Sequence, residues 1–132
     1  MNIEGLQIFE NRGHHDNRGE FYCSLILPNK RIGNGVSFRE WDFSYNFYNV
    51  LRGMHCDYIT WKLVECVYGE IFWAGYDIRP SSKTFRKSIN VIISRSNHKQ
   101  ILIPPGVLSG FYVRSKEAVF YYRQSEIYEN SS

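Results

Sequence analysis

The chain is cut into short β-forming runs that leave no room for a helix. Residues 21–27, 36–47, 58–67, 70–78, 85–94, 100–103, 110–113 and 118–123 are rich in β-branched or aromatic side chains and are separated by Gly, Pro, Asn or Ser. None of them holds a 3.6-residue apolar period for three turns. Regularly punctuated strands without helices predict an all-β sandwich or barrel. Tyr68-Gly69-Glu70 between two strong runs predicts a tight hairpin. Pro28, Pro80, Pro104 and Pro105 all fall between the runs, as a residue without an N–H must. A length of 132 residues fits one domain, 1–132, with a single core. No repeat or linker interrupts it, and Asn130-Ser131-Ser132 reads as a frayed end.

Composition narrows the class. Hydrophobic residues make up 43% and aromatics 17% against a charged share of 22%, the balance of a folded protein and not of a disordered tail. Cys23, Cys56 and Cys66 form neither an even set nor a CxxC pair, which argues for a reducing compartment. No signal-peptide pattern and no apolar run near eighteen residues is present, so the expectation is a cytoplasmic protein that does not insert in a membrane. A net charge of +3 with dispersed basic residues is too weak for nucleic-acid binding and suits a small anionic ligand.

Strand alternation sorts the polar residues by face. In the run 36–44, Phe38, Glu40, Asp42 and Ser44 share one face, and Arg39, Trp41 and Phe43 the other. A face with two carboxylates looks either to solvent or into a wet cavity. In the next run Lys62, Val64, Cys66 and Tyr68 oppose Trp61, Leu63, Glu65 and Val67, so Lys62 and Glu65 lie on opposite faces. An ammonium turned into a barrel needs a reason to be there. Metal binding is not that reason: His55-Cys56-Asp57 lacks the second His of a cupin metal pattern, and neither His14-His15 nor His98 completes a zinc or iron spacing. No metal and no cofactor is expected.

The stretch Asn49-Val-Leu-Arg-Gly-Met-His55, with Lys62-Leu-Val64 shortly after it, places a guanidinium, an imidazole and an ammonium close together. A neutral imidazole can take a proton from carbon beside a ketone, an ammonium can hold the resulting oxyanion, and a guanidinium can hold phosphate. Around this cluster stand Asp16-Asn-Arg-Gly-Glu-Phe21, Gly69-Glu-Ile-Phe72, Asp77-Ile-Arg79 with Thr84-Phe85, Asn97 with Gln100, Ile103-Pro-Pro-Gly106 and Gly110-Phe111. In order and approximate spacing, over about residues 8 to 128, these motifs resemble the dTDP-4-dehydrorhamnose 3,5-epimerase family. The resemblance implies a cupin-like jelly roll used without metal, a homodimer, and epimerisation of a nucleotide-diphosphate-linked 4-keto-6-deoxyhexose for bacterial surface polysaccharide such as O-antigen.

It also implies roles. His55 matches the family's base and Lys62 the cation beside the O4 oxyanion. Tyr128, six residues after Tyr122, matches the opposing acid, with Tyr122 supporting it. Arg52 matches the diphosphate ligand, and Arg18 with Phe21 a nucleotide-binding pair that reaches across the dimer. A salt-bridging surface arginine is the plain alternative for Arg52 and Arg18.

Departures from the family pattern point to a narrower enzyme. Its Phe-x-Gln-x-Asn-x-Ser strand stands here as Phe38-Arg39-Glu40-Trp41-Asp42-Phe43-Ser44, two amides replaced by carboxylates that only accept. Facing the nucleotide, these would suit the amino groups of cytosine or guanine better than thymine. Ser109 replaces the His of Ala-His-Gly-Phe, which removes a partner for phosphate or sugar. The Asp that orients the family's catalytic His lies in a C-terminal segment beyond this chain, leaving Asp42 or Asp57 as substitutes. Inversion of C3, with or without C5, is therefore expected. The alternatives are a 3,4-ketoisomerase and a catalytically inactive sugar-nucleotide or glycan-binding cupin.

Overall fold

A computed structural model describes residues 2–24 and 36–127. Among these residues the chain is all strand and turn: β1 (Gln7–Glu10), β2 (His14–Asp16), β3 (Gly19–Phe21), β4 (Glu40–Phe47), β5 (Leu51–His55), β6 (Lys62–Tyr68), β7 (Glu70–Asp77), β8 (Ser88–Ser94), β9 (Lys99–Ile103), β10 (Val107–Val113) and β11 (Glu117–Gln124). Every pairing is antiparallel. A five-stranded sheet in the order β1-β9-β6-β11-β4 faces a four-stranded sheet in the order β5-β10-β7-β8, and β2 and β3 form a separate hairpin. The result is the expected jelly-roll sandwich.

Side-chain alternation fills the space between the sheets. Val64, Cys66, Ile101, Ile103, Ala118 and Phe120 from the larger sheet meet Ile71, Trp73, Ile93, Val107, Phe111 and Val113 from the smaller. Burying these apolar faces is the main stabilisation of a two-layer fold. The larger sheet also covers part of its other face, where Leu63 and Leu102 pack against Phe9 and Phe38. Glu65 lies on that outer side, ion-paired to Arg123 at 2.6 Å and accepting a 2.6 Å hydrogen bond from Ser24 Oγ. Lys62 and Glu65 thus occupy opposite faces of β6.

Gly69, at φ +81°, closes the predicted hairpin, and a Cβ there would come within 2.2 Å of the Glu117 carbonyl. Other expectations shift. The run 36–47 becomes a strand only at Glu40, so Phe38 escapes the alternation and packs on the outer face with Leu63. Of the run 21–27, Phe21 ends β3, residues 22–24 are irregular, and 25–27 lie outside the described residues. Strands β1, β2 and β5 carry no apolar alternation: β2 and β5 are exposed along their whole length. His98 is buried, with Nε2 2.9 Å from Glu20 Oε1.

Candidate active site

One cavity of about 250 Å³ opens between the sheets and gathers most of the polar residues singled out from the sequence. Arg52, His55, Lys62, Ser109 and Tyr122 line it, with Ser44 at the same wall. Val64, Trp73, Ile103, Phe111 and Phe120 supply its apolar floor.

A bulge explains how Arg52 and His55 reach the same space. Residues three apart on a regular strand point to opposite faces. Here Ser109 pairs with His55 and Phe111 with Arg52, so three steps along β5 match two along β10, and the extra residue turns both side chains to the cavity. Gly53 permits the close approach, since a Cβ there would meet Gly110 Cα at 2.7 Å.

From the facing sheet, β6 contributes Lys62, 21% exposed, and β11 contributes Tyr122. The Lys62 Nζ lies 5.3 Å from the centre of the Tyr122 ring, within cation–π range. Behind both stands Asp57, 8% exposed, with Oδ1 3.1 Å from His55 Nε2 and Oδ2 2.8 Å from Lys62 Nζ. Of the two carboxylates that could substitute as partner of His55, the structure selects Asp57.

Asp42 has another partner. The carboxylate face of β4 turns inward, as the half-buried Glu40, Asp42 and Ser44 alternate with the exposed Trp41, Phe43 and Tyr45. A side-chain hydrogen bond to Glu40, together with burial, pushes the Asp42 carboxyl up to about 6, while Lys62 pulls it down. Below about pH 6 the pair holds a proton between the two carboxyl groups. The pair can then donate as well as accept, as the two amides of the family pattern do.

Asn46, two residues beyond Ser44 on the same inward face and buried, was missed from the sequence. Its Oδ1 accepts a short hydrogen bond from Arg52 Nε, and its Nδ2 donates to the carbonyls of Ser44 and Ala118. Alternation along β4 carried the signal. Among the described residues no carboxylate pairs with Arg52, whereas Arg18 pairs with Asp16 at 2.6 Å in the exposed β2–β3 hairpin, beside the 72% exposed Phe21. That hairpin forms a groove of its own with His14 and Glu20, and neither Arg18 nor Phe21 lines the cavity. Tyr128 lies outside the described residues.

The motif Asp77-Ile78-Arg79 with Thr84 builds a loop knot and not part of the cavity. Asp77 is fully buried and accepts from Arg79 N, Nε and Nη2, Ser82 Oγ and Thr84 Oγ1, all at 3.0 Å or less. Burial opposes its charge, and these donors more than offset that, holding the carboxyl well below its usual range.

Comparison with known proteins gives a consistent family. The family model described as dTDP-4-dehydrorhamnose 3,5-epimerase matches residues 1–132. The dTDP-4-dehydrorhamnose 3,5-epimerase of Escherichia coli K12 is 38% identical over 135 residues, covering 98% of this chain and 73% of its own. Among solved structures, dTDP-6-deoxy-D-glucose-3,5-epimerase from Legionella pneumophila, in complex with dTDP-4-keto-L-rhamnose, superposes with a TM-score of 0.90 at 36% identity, covering 98% of this chain and 74% of that one. The dTDP-4-dehydrorhamnose 3,5-epimerase of Bacillus anthracis, with TDP and pyrophosphate bound, gives a TM-score of 0.84 at 30% identity, covering 93% of this chain and 73% of that one.

Proposed function

Because the chain belongs to the dTDP-4-dehydrorhamnose 3,5-epimerase family, we propose that it epimerises a nucleotide-diphosphate-linked 4-keto-6-deoxyhexose in deoxysugar synthesis, with His55 as base and Lys62 as oxyanion holder. The observation that carries the residue assignment is the convergence of these two side chains on one cavity, beside a guanidinium that no described carboxylate neutralises.

The C3 proton lies α to the C4 ketone. His55 takes it, the C–H electron pair moves into the C3–C4 bond, and the carbonyl π pair moves onto O4. The Lys62 ammonium interacts more strongly with O4 as this negative charge develops, so it lowers the barrier and not merely the ground state. A proton returned to the opposite face of C3 inverts the centre. Tyr128 is proposed as that acid from its spacing to Tyr122, and Tyr122, in cation–π range of Lys62, as its supporting group. Inversion at C3 is the outcome proposed.

Arg52, tied to Asn46 through Nε, presents a planar fork suited to diphosphate oxygens. Below about pH 6, where the pair holds a proton, Glu40 and Asp42 can also donate, so they do not exclude thymidine. The TDP and dTDP-sugar bound by relatives make thymidine the proposed base.

A homodimer fits the outer face of the sandwich. Edge strand β4 exposes Trp41 (53%), Phe43 (70%), Tyr45 (56%) and Phe47 (67%) in one row. Unpaired edges and apolar patches of this kind are normally covered. A second copy is the proposed cover, and Arg18 and Phe21 are proposed to complete the nucleotide site across it. No helix among the described residues is long and apolar enough to cross a membrane. An odd number of cysteines with no CxxC pair supports the reducing cytoplasm as the proposed location.

The test is solvent exchange. Incubation with dTDP-4-keto-6-deoxyglucose in D₂O is expected to place deuterium at C3, and His55→Asn to abolish the label while nucleotide affinity is kept. Binding without any label would return the chain to the class of inactive sugar-nucleotide-binding cupins. Loss of label and affinity together in His55→Asn would remove His55 as base.

A further inference from the structure

One buried carboxylate touches both groups that the proposed chemistry uses. We propose that Asp57 is the positioning residue of this site, fixing the tautomer of His55 and the place of Lys62 at once; the inference rests on the epimerase reading.

The geometry is specific. Asp57 sits on the segment that joins β5 to β6, so its backbone connects the two strands that carry His55 and Lys62. Its carbonyl accepts a 2.8 Å hydrogen bond from Gly106 N, which ties this segment to the turn before β10. Its two carboxylate oxygens then divide the work, Oδ1 lying 3.1 Å from His55 Nε2 and Oδ2 2.8 Å from Lys62 Nζ. Only 8% of the side chain is exposed, so water competes weakly for either oxygen.

Each contact has a chemical consequence. A carboxylate only accepts, so Nε2 must carry the hydrogen, and the lone pair of the neutral ring is left on Nδ1. Nδ1 is therefore the atom that takes the proton from carbon. When it does, the ring becomes imidazolium, and its Nε2–H remains bonded to Oδ1 without any proton passing to Asp57. The ammonium on Oδ2 balances the buried carboxylate before the reaction begins. The imidazole is thus not required as a counter-ion. Asp42 cannot take this part, because its carboxyl is bonded to Glu40.

Asp57→Asn is the informative variant. An amide keeps the size but offers one accepting oxygen to two donors, and its NH₂ must oppose either His55 Nε2–H or Lys62. The ring nitrogens are read by ¹⁵N NMR of the ligand-free protein, with His55 assigned by loss of its signals in His55→Asn. The wild type is expected to show the Nε2–H tautomer at pH values where the ring is neutral, and Asp57→Asn a mixture of tautomers. Deuterium exchange into substrate should fall roughly 10²-fold in kcat with KM unchanged, inside the ~10²–10⁴ range of a positioned general base. A wild-type ring protonated on Nδ1, or exchange by Asp57→Asn at the wild-type rate, would overturn the inference while leaving the epimerase reading intact. If Asp57→Asn does not fold, the wild-type tautomer alone decides. Wild-type protein that labels no 4-keto substrate would overturn the epimerase reading, and this inference with it.

Discussion

Asp42 and Glu40, two residues apart on the inward face of β4, are joined by a side-chain hydrogen bond that pushes the Asp42 carboxyl up to about 6. A group whose folded value stands above the unfolded one favours the fold in its protonated form. That stability is fully present below the ordinary value near 3.8 and is lost as pH rises through about 6. Asp42→Asn should therefore leave stability at pH 4 nearly unchanged and raise it at pH 8 by about 1 kcal/mol, after allowance for solvent screening of a half-buried pair. Urea titrations at the two pH values measure the difference; a variant equally stabilised at both would show that no shared proton is involved.

The same pair sets a pH dependence for ligand. Below about pH 6 it carries one charge fewer, so TDP, itself anionic, should bind more tightly as pH falls towards 5. Asp42→Asn should remove most of that slope in an isothermal titration series. CDP and GDP in the same series test whether the pair reads thymine.

Arg52 and Asn46 make a second pairing that can be broken from either side. Arg52→Ala removes the fork and is expected to weaken TDP binding by about 1.5–3 kcal/mol, the worth of a hydrogen bond to a charged group. Asn46→Ala keeps the charge but frees Nε, so the loss should be smaller, near 1 kcal/mol, and should come with reduced thermal stability, since Asn46 is 1% exposed and bonds two carbonyls. Equal losses in the two variants would mean that Arg52 acts through its placement alone.

How far the sequence could be read depends on what each residue's signal rests on. Period-two alternation is a local property, and it put Lys62 opposite Glu65 and turned Glu40, Asp42 and Ser44 together. It failed at Phe38 because the strand starts four residues into the β-forming run, at Glu40. Strand β5 was invisible because it is an exposed edge with Gly53 in its middle, and its strand character comes from pairing with β10. The bulge that brings Arg52 and His55 together is a mismatch between two strands, and no single strand records it. The choice of Asp57 over Asp42 needed the distances, because each carboxylate competes for several partners. Likewise, the family motif around Asp77 gave no hint that its donors converge on one buried oxygen pair.

That knot at Asp77 should dominate acid sensitivity. Its carboxyl is held well below the usual range, so its stabilising effect is present above the ordinary value near 3.8 and is lost as pH falls beneath it. Asp77→Asn leaves Arg79 without its partner and is expected to cost about 3–5 kcal/mol at pH 7, the range for breaking a buried ion pair from one side. The cost should shrink on acidification. Chemical denaturation at pH 7 and pH 3 gives both values, and a pH-independent difference would assign the effect to packing.

If the β4 row is covered by a second copy, a charge placed in its centre should split the pair. Phe43 is 70% exposed and stacks on Tyr121 with ring centres 4.5 Å apart. Phe43→Glu puts a carboxylate where an interface would be apolar, at little cost to the isolated protomer. Light scattering should show a dimer for the wild type and a monomer of near-normal thermal stability for the variant. A monomeric wild type would remove the dimer from the proposal, and with it the role of Arg18 and Phe21 across it.

Lys62 combines a catalytic and an electrostatic position, and two variants separate them. Lys62→Met keeps the aliphatic stem but leaves Asp57, 8% exposed, with no ammonium on Oδ2. Destabilisation by about 3 kcal/mol is expected from the loss of that buried ion pair. Adding Asp57→Asn removes the buried charge, so the double variant should recover part of the loss. Activity should not recover with it: kcat is expected to be about 10²–10³-fold down in Lys62→Met, the cost of deleting one oxyanion donor, and lower still in the double variant, which also loses the carboxylate on His55. KM should change little, since the charge on O4 develops only as the proton leaves. Parallel recovery of stability and rate in the double variant would show that Lys62 serves the fold and not the enolate.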